Sequence, residues 1–195
     1  MVLKNVRKDK NDILLHVCCG VCAGYPIEKL IAEGETPLAF FSNDNIDSFD
    51  EYQRRVESFI KVCDYFGVDY IVDDYNPDDY LERVCGLENE PERGLRCVEC
   101  IALRLEKTAE QALDMGINRF TTTLVVSPHK NFKKISEIGF NLAQSKDLEF
   151  VAIDFKKQDG FLKTNAIAKQ LDLYRQNYCG CRFAKGHLKE VENGM

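Results

Sequence analysis

The segment Ile13-Leu14-Leu15-His16-Val17 constrains this chain most. It is a short, nearly continuous apolar run, followed at once by Cys18-Cys19-Gly20-Val21-Cys22 and then by helical patterning from Ala23. Such a run suits a strand buried on both faces, the environment of a parallel sheet. In open α/β sheets ligands bind beyond the carboxyl ends of the strands. Three thiols therefore stand at a ligand edge before the first helix begins. Neighbouring residues on a strand point to opposite faces, so Cys18 and Cys19 can reach one ligand only where the backbone leaves the strand. Gly20 permits that turn.

The same strand–loop–helix order recurs. Residues 37–42 read as a second buried strand, and 43–48 as a polar loop at its end. The period of Val56, Phe59, Ile60, Val62 and Cys63 predicts a helix over 50–66, stopped by Gly67. A third strand is expected at 68–72 and a short helix at 78–85. Residues 86–96 have no period and deliver Cys97 and Cys100 to the start of a helix running to Gly116, where free N–H groups and the helix dipole favour thiolates. A fourth strand is expected at 119–125, then Ser127-Pro128-His129-Lys130, a helix to about 145, and a fifth strand at 149–155. This order predicts an α/β fold: a doubly wound, mainly parallel five-stranded sheet flanked by helices. The whole of 1–195 is expected to form a single domain, with its sheet core at about 12–158 and a short helical C-terminal appendage at about 159–195.

Of the 195 residues, 45% are hydrophobic and 30% charged, so a packed core is expected. No apolar run approaches the roughly 18 residues of a membrane span. Residues 1–12 are of mixed charge and lack the apolar core of a signal peptide, which predicts a cytoplasmic location. In a reducing compartment nine cysteines imply metal or redox chemistry rather than a disulfide framework. The net charge of −6 argues against a nucleic-acid binder. Its distribution softens that argument: residues 1–100 carry 11 basic against 21 acidic side chains, and 101–195 carry 15 against 11. This is compatible with an acidic body and a basic C-terminal face.

Cys18, Cys19, Cys97 and Cys100 are expected to be four ligands of one centre. Thiolate-rich sites select zinc or iron–sulfur clusters. Structural zinc prefers ligand pairs about two to four residues apart, so adjacent cysteines point to a cluster. Cys22 is either a further ligand or a packing residue. A disulfide across Cys179-Gly180-Cys181 would close a small, strained and easily reduced ring, the catalytic kind of disulfide; the alternative is two surface thiols. Cys63 and Cys85 fall in helical patterns and are expected in the core. His16 is expected to be a satisfied core histidine, and His129 is the better site candidate. Lys130, Lys133 and Lys134 form either a solvated helix face or, at a helix start beside the ligand edge, a set of phosphate contacts.

Taken jointly, several motifs resemble one family, the cobalamin-independent epoxyqueuosine reductases called QueH. They are Leu-Leu-His-Val-Cys-Cys-Gly-Val-Cys-Ala at 14–23, Glu-Pro-Glu-Arg-Gly-Leu-Arg-Cys-Val-Glu-Cys at 90–100 continuing to Arg104-Leu105, and Phe-Thr-Thr-Thr-Leu at 120–124. Ser127-Pro128, Asp154-Phe155-Lys156-Lys157 and Leu-Tyr-Arg-Gln-Asn-Tyr-Cys-Gly-Cys at 173–181 complete the set. The resemblance implies a fold similar to the adenine-nucleotide hydrolase-like (HUP) α/β proteins. It also implies reduction of epoxyqueuosine in tRNA to queuosine, the last step of that wobble-base modification. By the same resemblance Cys18, Cys19, Cys97 and Cys100 hold a 4Fe–4S cluster, Cys22 is the nearest free ligand for a neighbouring mononuclear iron, and Cys179 and Cys181 cycle as a redox-active disulfide. The partners so implied are tRNA and an electron donor. Lys156, Lys157, Arg175 and Arg182 are expected phosphate contacts alongside Lys130, Lys133 and Lys134. The chain departs from the family pattern at Val21 and Asp44, where relatives often read proline.

The residues alone also allow two other readings. One is a zinc-stabilised, non-catalytic tRNA- or nucleotide-binding module. The other, an ATP-using tRNA thiolase, would need a phosphate-cradling glycine- and serine-rich turn after the first strand, and Cys18-Cys19-Gly20 occupies that position.

Overall fold

The computed structural model describes residues 2–4 and 10–184. Among them one sheet is built from β1 (Val2–Lys4), β2 (Ile13–His16), β3 (Pro37–Phe41), β4 (Tyr70–Val72), β5 (Arg119–Thr122) and β6 (Glu149–Phe150), in the order β1-β4-β3-β2-β5-β6. The five strands from β2 to β6 run parallel, as the sequence predicts. A further edge strand, β1, joins β4 antiparallel. Its three residues are too few to give a period of their own.

Parallel strands must be covered on both faces, and the alternation along β2 shows how. Ile13 and Leu15 face α1 (Gly20–Ala32) and α2 (Phe49–Phe66), meeting Ala23, Ile27, Leu30, Phe59, Val62 and Cys63. Leu14 faces the other way, with Phe40 and Phe120, onto Ala109, Ala112 and Met115 of α4 (Leu95–Met115) and Ala143 of α5 (Phe132–Lys146). All four β2 residues are fully buried. Each apolar one contributes roughly 1.5–3 kcal/mol, which makes this strand the centre of the fold. α3 (Pro77–Arg83) lies between β4 and α4 in the chain, and α6 (Gly160–Gln170) packs on α1.

The chain builds outward from β2 through β3 and β4 on one side, then returns to place β5 and β6 on the other. The β2–β5 boundary is therefore the topological switch point, where a crevice opens at the carboxyl edge. Two local departures from the expected elements shape it. α1 begins at Gly20 rather than Ala23, because its first turn is pressed against α2: a Cβ on Gly20 would lie 2.5 Å from the carbonyl carbon of Ser58. β5 ends at Thr122, where the Thr122 hydroxyl accepts the Leu124 N–H at 3.1 Å and turns the chain into a 3-10 helix over Thr123–Val126. With β5 gone from the sheet, β6 is held to two residues, Glu149 opposite Arg119 and Phe150 opposite Phe120.

The C-terminal segment is bound more tightly into the domain than the term appendage suggests. Ala168 and Leu173 join the α1–α2 core, and Cys181 and Ala184 pack with Tyr80, Val84 and Cys100. Cys63 is fully buried in the core, but Cys85 is exposed. α3 stops at Arg83, so Cys85 falls in the following turn and not on the helix's buried face.

Candidate metal and redox centre

The thiols of Cys18, Cys19 and Cys22 lie within 4.8 Å of one another at the mouth of β2. The early start of α1 produces this: Cys19 is the N-cap residue, in extended conformation, and Cys22 stands in the first helical turn. Thr123, at the end of β5, closes the trio from the far side of the crevice. Its hydroxyl accepts the Cys18 N–H at 3.0 Å and lies 3.4 Å from the Cys18 sulfur as a donor.

Electrostatically the three thiols act as a unit. Hydrogen bonds from Cys19 and Cys22, with further help from Arg104 and Thr123, hold Cys18 well below the ordinary thiol range despite its burial. Cys19, whose proton is retained by that bond to Cys18, is pushed up to about 12, and Cys22 is raised well above its usual value for the same reason. The trio thus gives up one proton readily and the next two reluctantly. A bound cation would take the place of those protons, since a coordinating thiol is deprotonated outright. With one pre-formed thiolate and two sulfurs at ligand spacing, the donor set fits a thiophilic metal.

Two cations from other elements face this edge. Arg104, buried on α4, donates to the Asn43 side chain, whose amide in turn donates to the Val17 carbonyl at 2.9 Å. Its charge acts on Cys18, Cys100 and His16. Burial opposes the charge on Lys130, but the sulfurs of Cys179, Cys100 and Cys18 outweigh burial and raise its pKa. Six separate stretches of chain therefore meet here: the β2 mouth, the β3 loop, α4, the end of β5, the loop before α5 and the C-terminal tail.

The description of the family model that matches residues 13–187 is epoxyqueuosine reductase QueH. The chain belongs to the QueH family. Curated QueH relatives include an epoxyqueuosine reductase of Streptococcus pyogenes serotype M1, 37% identical over 179 residues, covering 89% of this chain and 70% of that protein. The Acinetobacter baylyi relative is 35% identical over 175 residues, covering 89% and 80%. The Helicobacter pylori relative is 37% identical over 188 residues and covers 93% of this chain, which spans 51% of that longer protein. By its family the chain is an oxidoreductase. Among solved structures, the NMN synthetase of Francisella tularensis superposes with a TM-score of 0.52 at 12% identity, over 95% of this chain and 73% of that one. That likeness concerns the fold alone, and it agrees with the expected parallel α/β sheet flanked by helices.

Among the described residues, Cys18, Cys19 and Cys22 form a group at ligand spacing, which includes two of the four expected cluster ligands and the cysteine expected to serve a neighbouring iron. Cys97 and Cys100 occupy the first two turns of α4, where the Arg93 N–H donates to the Cys97 sulfur at 3.2 Å. Burial pushes Cys100 up to about 12, against the opposing charge of Arg104. Cys179 and Cys181 lie beside this pair, and all nine cysteines are free. Burial raises Cys181 above the usual thiol range, with Cys179 adding to the shift.

His16 is a satisfied core histidine: Nδ1 is 2.8 Å from the Thr122 hydroxyl and Nε2 is 3.2 Å from the Ser42 carbonyl. Burial and the Arg104 charge lower it to about 3. His129 is exposed and lies 3.2 Å from Arg93, and His187 lies outside the described residues. Lys133, Lys134, Lys157 and Arg175 are exposed. Lys156 contacts the Lys130 carbonyl at 3.2 Å, and Arg182 is ion-paired with Asp47 at 2.6 Å. Asp44 is buried and paired with Lys107 at 2.5 Å. Thr123 and Arg104 lie in the quoted motifs and Asn43 in the loop after β3, but their roles come only from partners distant in the chain.

Proposed function

We propose that this protein reduces epoxyqueuosine in tRNA to queuosine, acting in the cytoplasm. The observation that carries the proposal is the convergence of Cys18, Cys19 and Cys22 at the β2–β5 switch point of a QueH-family chain. A zinc-stabilised binding module would not need the second thiol pair, Cys179 and Cys181, packed with Cys100.

Opening an epoxide to an alkene takes up two electrons and two protons and releases the oxygen as water. Cys18 and Cys19, with Cys97 and Cys100 from α4, would hold a 4Fe–4S cluster, and Cys22 would be the nearest free ligand for a neighbouring iron. When bound, such a centre supplies single electrons and a Lewis-acid position for the epoxide oxygen. The protein's own contribution is electrostatic and geometric. Arg104 and Lys130 keep positive charge over the crevice, which stabilises negative charge developing on the departing oxygen. Thr123 and the fixed β2 turn hold the Cys18 sulfur in place. Cys179 and Cys181, on forming an S–S bond, release two electrons and two protons, the stoichiometry of the reaction. An external reductant then restores the dithiol. Lys130, Lys133 and Lys134 around the start of α5, with Lys156, Lys157, Arg175 and Arg182, would offer phosphate contacts to the tRNA.

The test is anaerobic incubation of purified protein and a chemical reductant with tRNA carrying epoxyqueuosine, followed by nucleoside mass spectrometry. Queuosine should appear, lighter by one oxygen. Fully iron-loaded protein that leaves epoxyqueuosine unchanged would refute the proposal.

A further inference from the structure

The Cys179-Gly180-Cys181 segment belongs to no helix or strand, yet α2 and the loop before it hold three successive carbonyls of this stretch. Arg55, 3% exposed, donates from Nη1 to the Cys179 carbonyl at 3.0 Å and from Nη2 to the Tyr178 carbonyl at 3.4 Å. The Asp47 N–H donates to the Gly180 carbonyl at 2.9 Å, and the Asp47 side chain binds Arg182. Arg55 is itself fixed from behind. Its Nε donates to Glu51 at 2.7 Å, and the second oxygen of Glu51 accepts the Tyr174 hydroxyl at 2.7 Å. The guanidinium also lies 5.6 Å from the centroid of the Tyr178 ring.

Gly180 completes the arrangement. Its φ is +104°, and a Cβ there would lie 2.9 Å from Nη2 of Arg55. The backbone between the two cysteines is thus wound around a buried guanidinium, with no room for a side chain between them. A cation that serves two carbonyls and one carboxylate is satisfied without a phosphate or a substrate group.

We infer that Arg55 is a positioning residue for the Cys179/Cys181 pair. It holds the pair as a dithiol in which Cys179 stays partly open and Cys181 is kept in its pocket against Tyr80. The inference rests on the reading of these cysteines as the redox pair. It explains why a sequence with no regular structure presents two neighbouring thiols unequally: Cys181 is 7% exposed and Cys179 is partly open. Closing the S–S bond removes one proton from each thiol and passes two electrons toward the epoxide, the oxidant of the proposed reaction.

The experiment is differential alkylation of anaerobically purified, reduced protein with isotopically coded iodoacetamide, read by mass spectrometry at Cys179 and Cys181. In the parent protein Cys179 should react faster. In Arg55→Gln, loss of the charge-assisted bonds should shrink the ratio of the two rates at least about tenfold. Arg55→Lys separates positioning from mere support. It keeps a cation beside Glu51 and so should recover thermal stability, but it cannot serve two carbonyls and should leave the ratio collapsed. Gly180→Ala attacks the clamp from the other side and should harm it less in the Arg55→Gln background than in the parent. An unchanged ratio in Arg55→Gln, or full recovery of the ratio by lysine, would overturn the inference. A collapsed ratio with undiminished epoxyqueuosine turnover would instead overturn the redox reading on which it rests.

Discussion

His16 should make the folded protein sensitive to acid. Its imidazole is fully buried, bonded to Thr122 and Ser42, and lowered from 6.5 to about 3 by burial and by Arg104. The depressed pKa fixes the sign of the effect. Above pH 6.5 both folded and unfolded chains carry a neutral ring; below it the unfolded chain takes up a proton that the folded chain refuses. Stability is therefore full above pH 6.5 and falls as the pH drops toward 3. Each unit is worth about 1.4 kcal/mol, so the loss at pH 5 is about 2 kcal/mol and the whole window about 5 kcal/mol. The assay is urea denaturation at pH 7.5, 6 and 5 for the parent and for His16→Gln, which keeps a donor for Ser42 but cannot titrate. The variant should be less stable at pH 7.5, and the gap should narrow by about 2 kcal/mol at pH 5. Metal release in acid affects both proteins, so the difference between them isolates the ring. Parallel curves with a constant gap would refute the reasoning.

Gly20→Ala should cost about 1–3 kcal/mol in denaturant titration and lower metal occupancy, because the new methyl drives α1 away from Ser58 and spreads the thiol trio. Cys63→Ala, a truncation in the core far from the trio in the chain, should cost about 1 kcal/mol yet leave metal content intact. Serine at Cys179 or Cys181 should leave metal content near normal and abolish turnover with the ordinary electron supply, as measured by nucleoside analysis. Charge reversal at Lys133 and Lys134 should weaken tRNA binding and lower the salt dependence by about one unit of log–log slope per lost phosphate contact.

The sheet was legible in the sequence because parallel strands are apolar on both faces. β2 and β3 stand out as unbroken runs, and their ends locate the ligand edge. The start of α1 was not legible. Residues 20–22 carry no apolar period, and the helix begins there only because α2 lies close enough to exclude a Cβ. That shift is what brings Cys22 to Cys18 and Cys19. β6 looked longer because 149–155 remains fairly apolar after β5 has turned away. Arg55 and Arg104 read as polar positions on helices, normally a solvated face. Their burial depends on Tyr178, Cys179 and Asn43, partners that no local pattern reveals. The C-terminal tail looked separate for the same reason, since each of its anchors on α2 is more than 100 residues away in sequence.

The central claim is that a cysteine-held iron–sulfur centre occupies the β2–β5 crevice. It is tested most directly by iron, zinc and acid-labile sulfide analysis of anaerobically purified protein, beside serine variants at Cys18, Cys19, Cys97 and Cys100. The account predicts iron and sulfide in the proportions of one 4Fe–4S cluster, with any additional iron above the sulfide, and a sharp fall of both in each variant. Stoichiometric zinc without sulfide would contradict it.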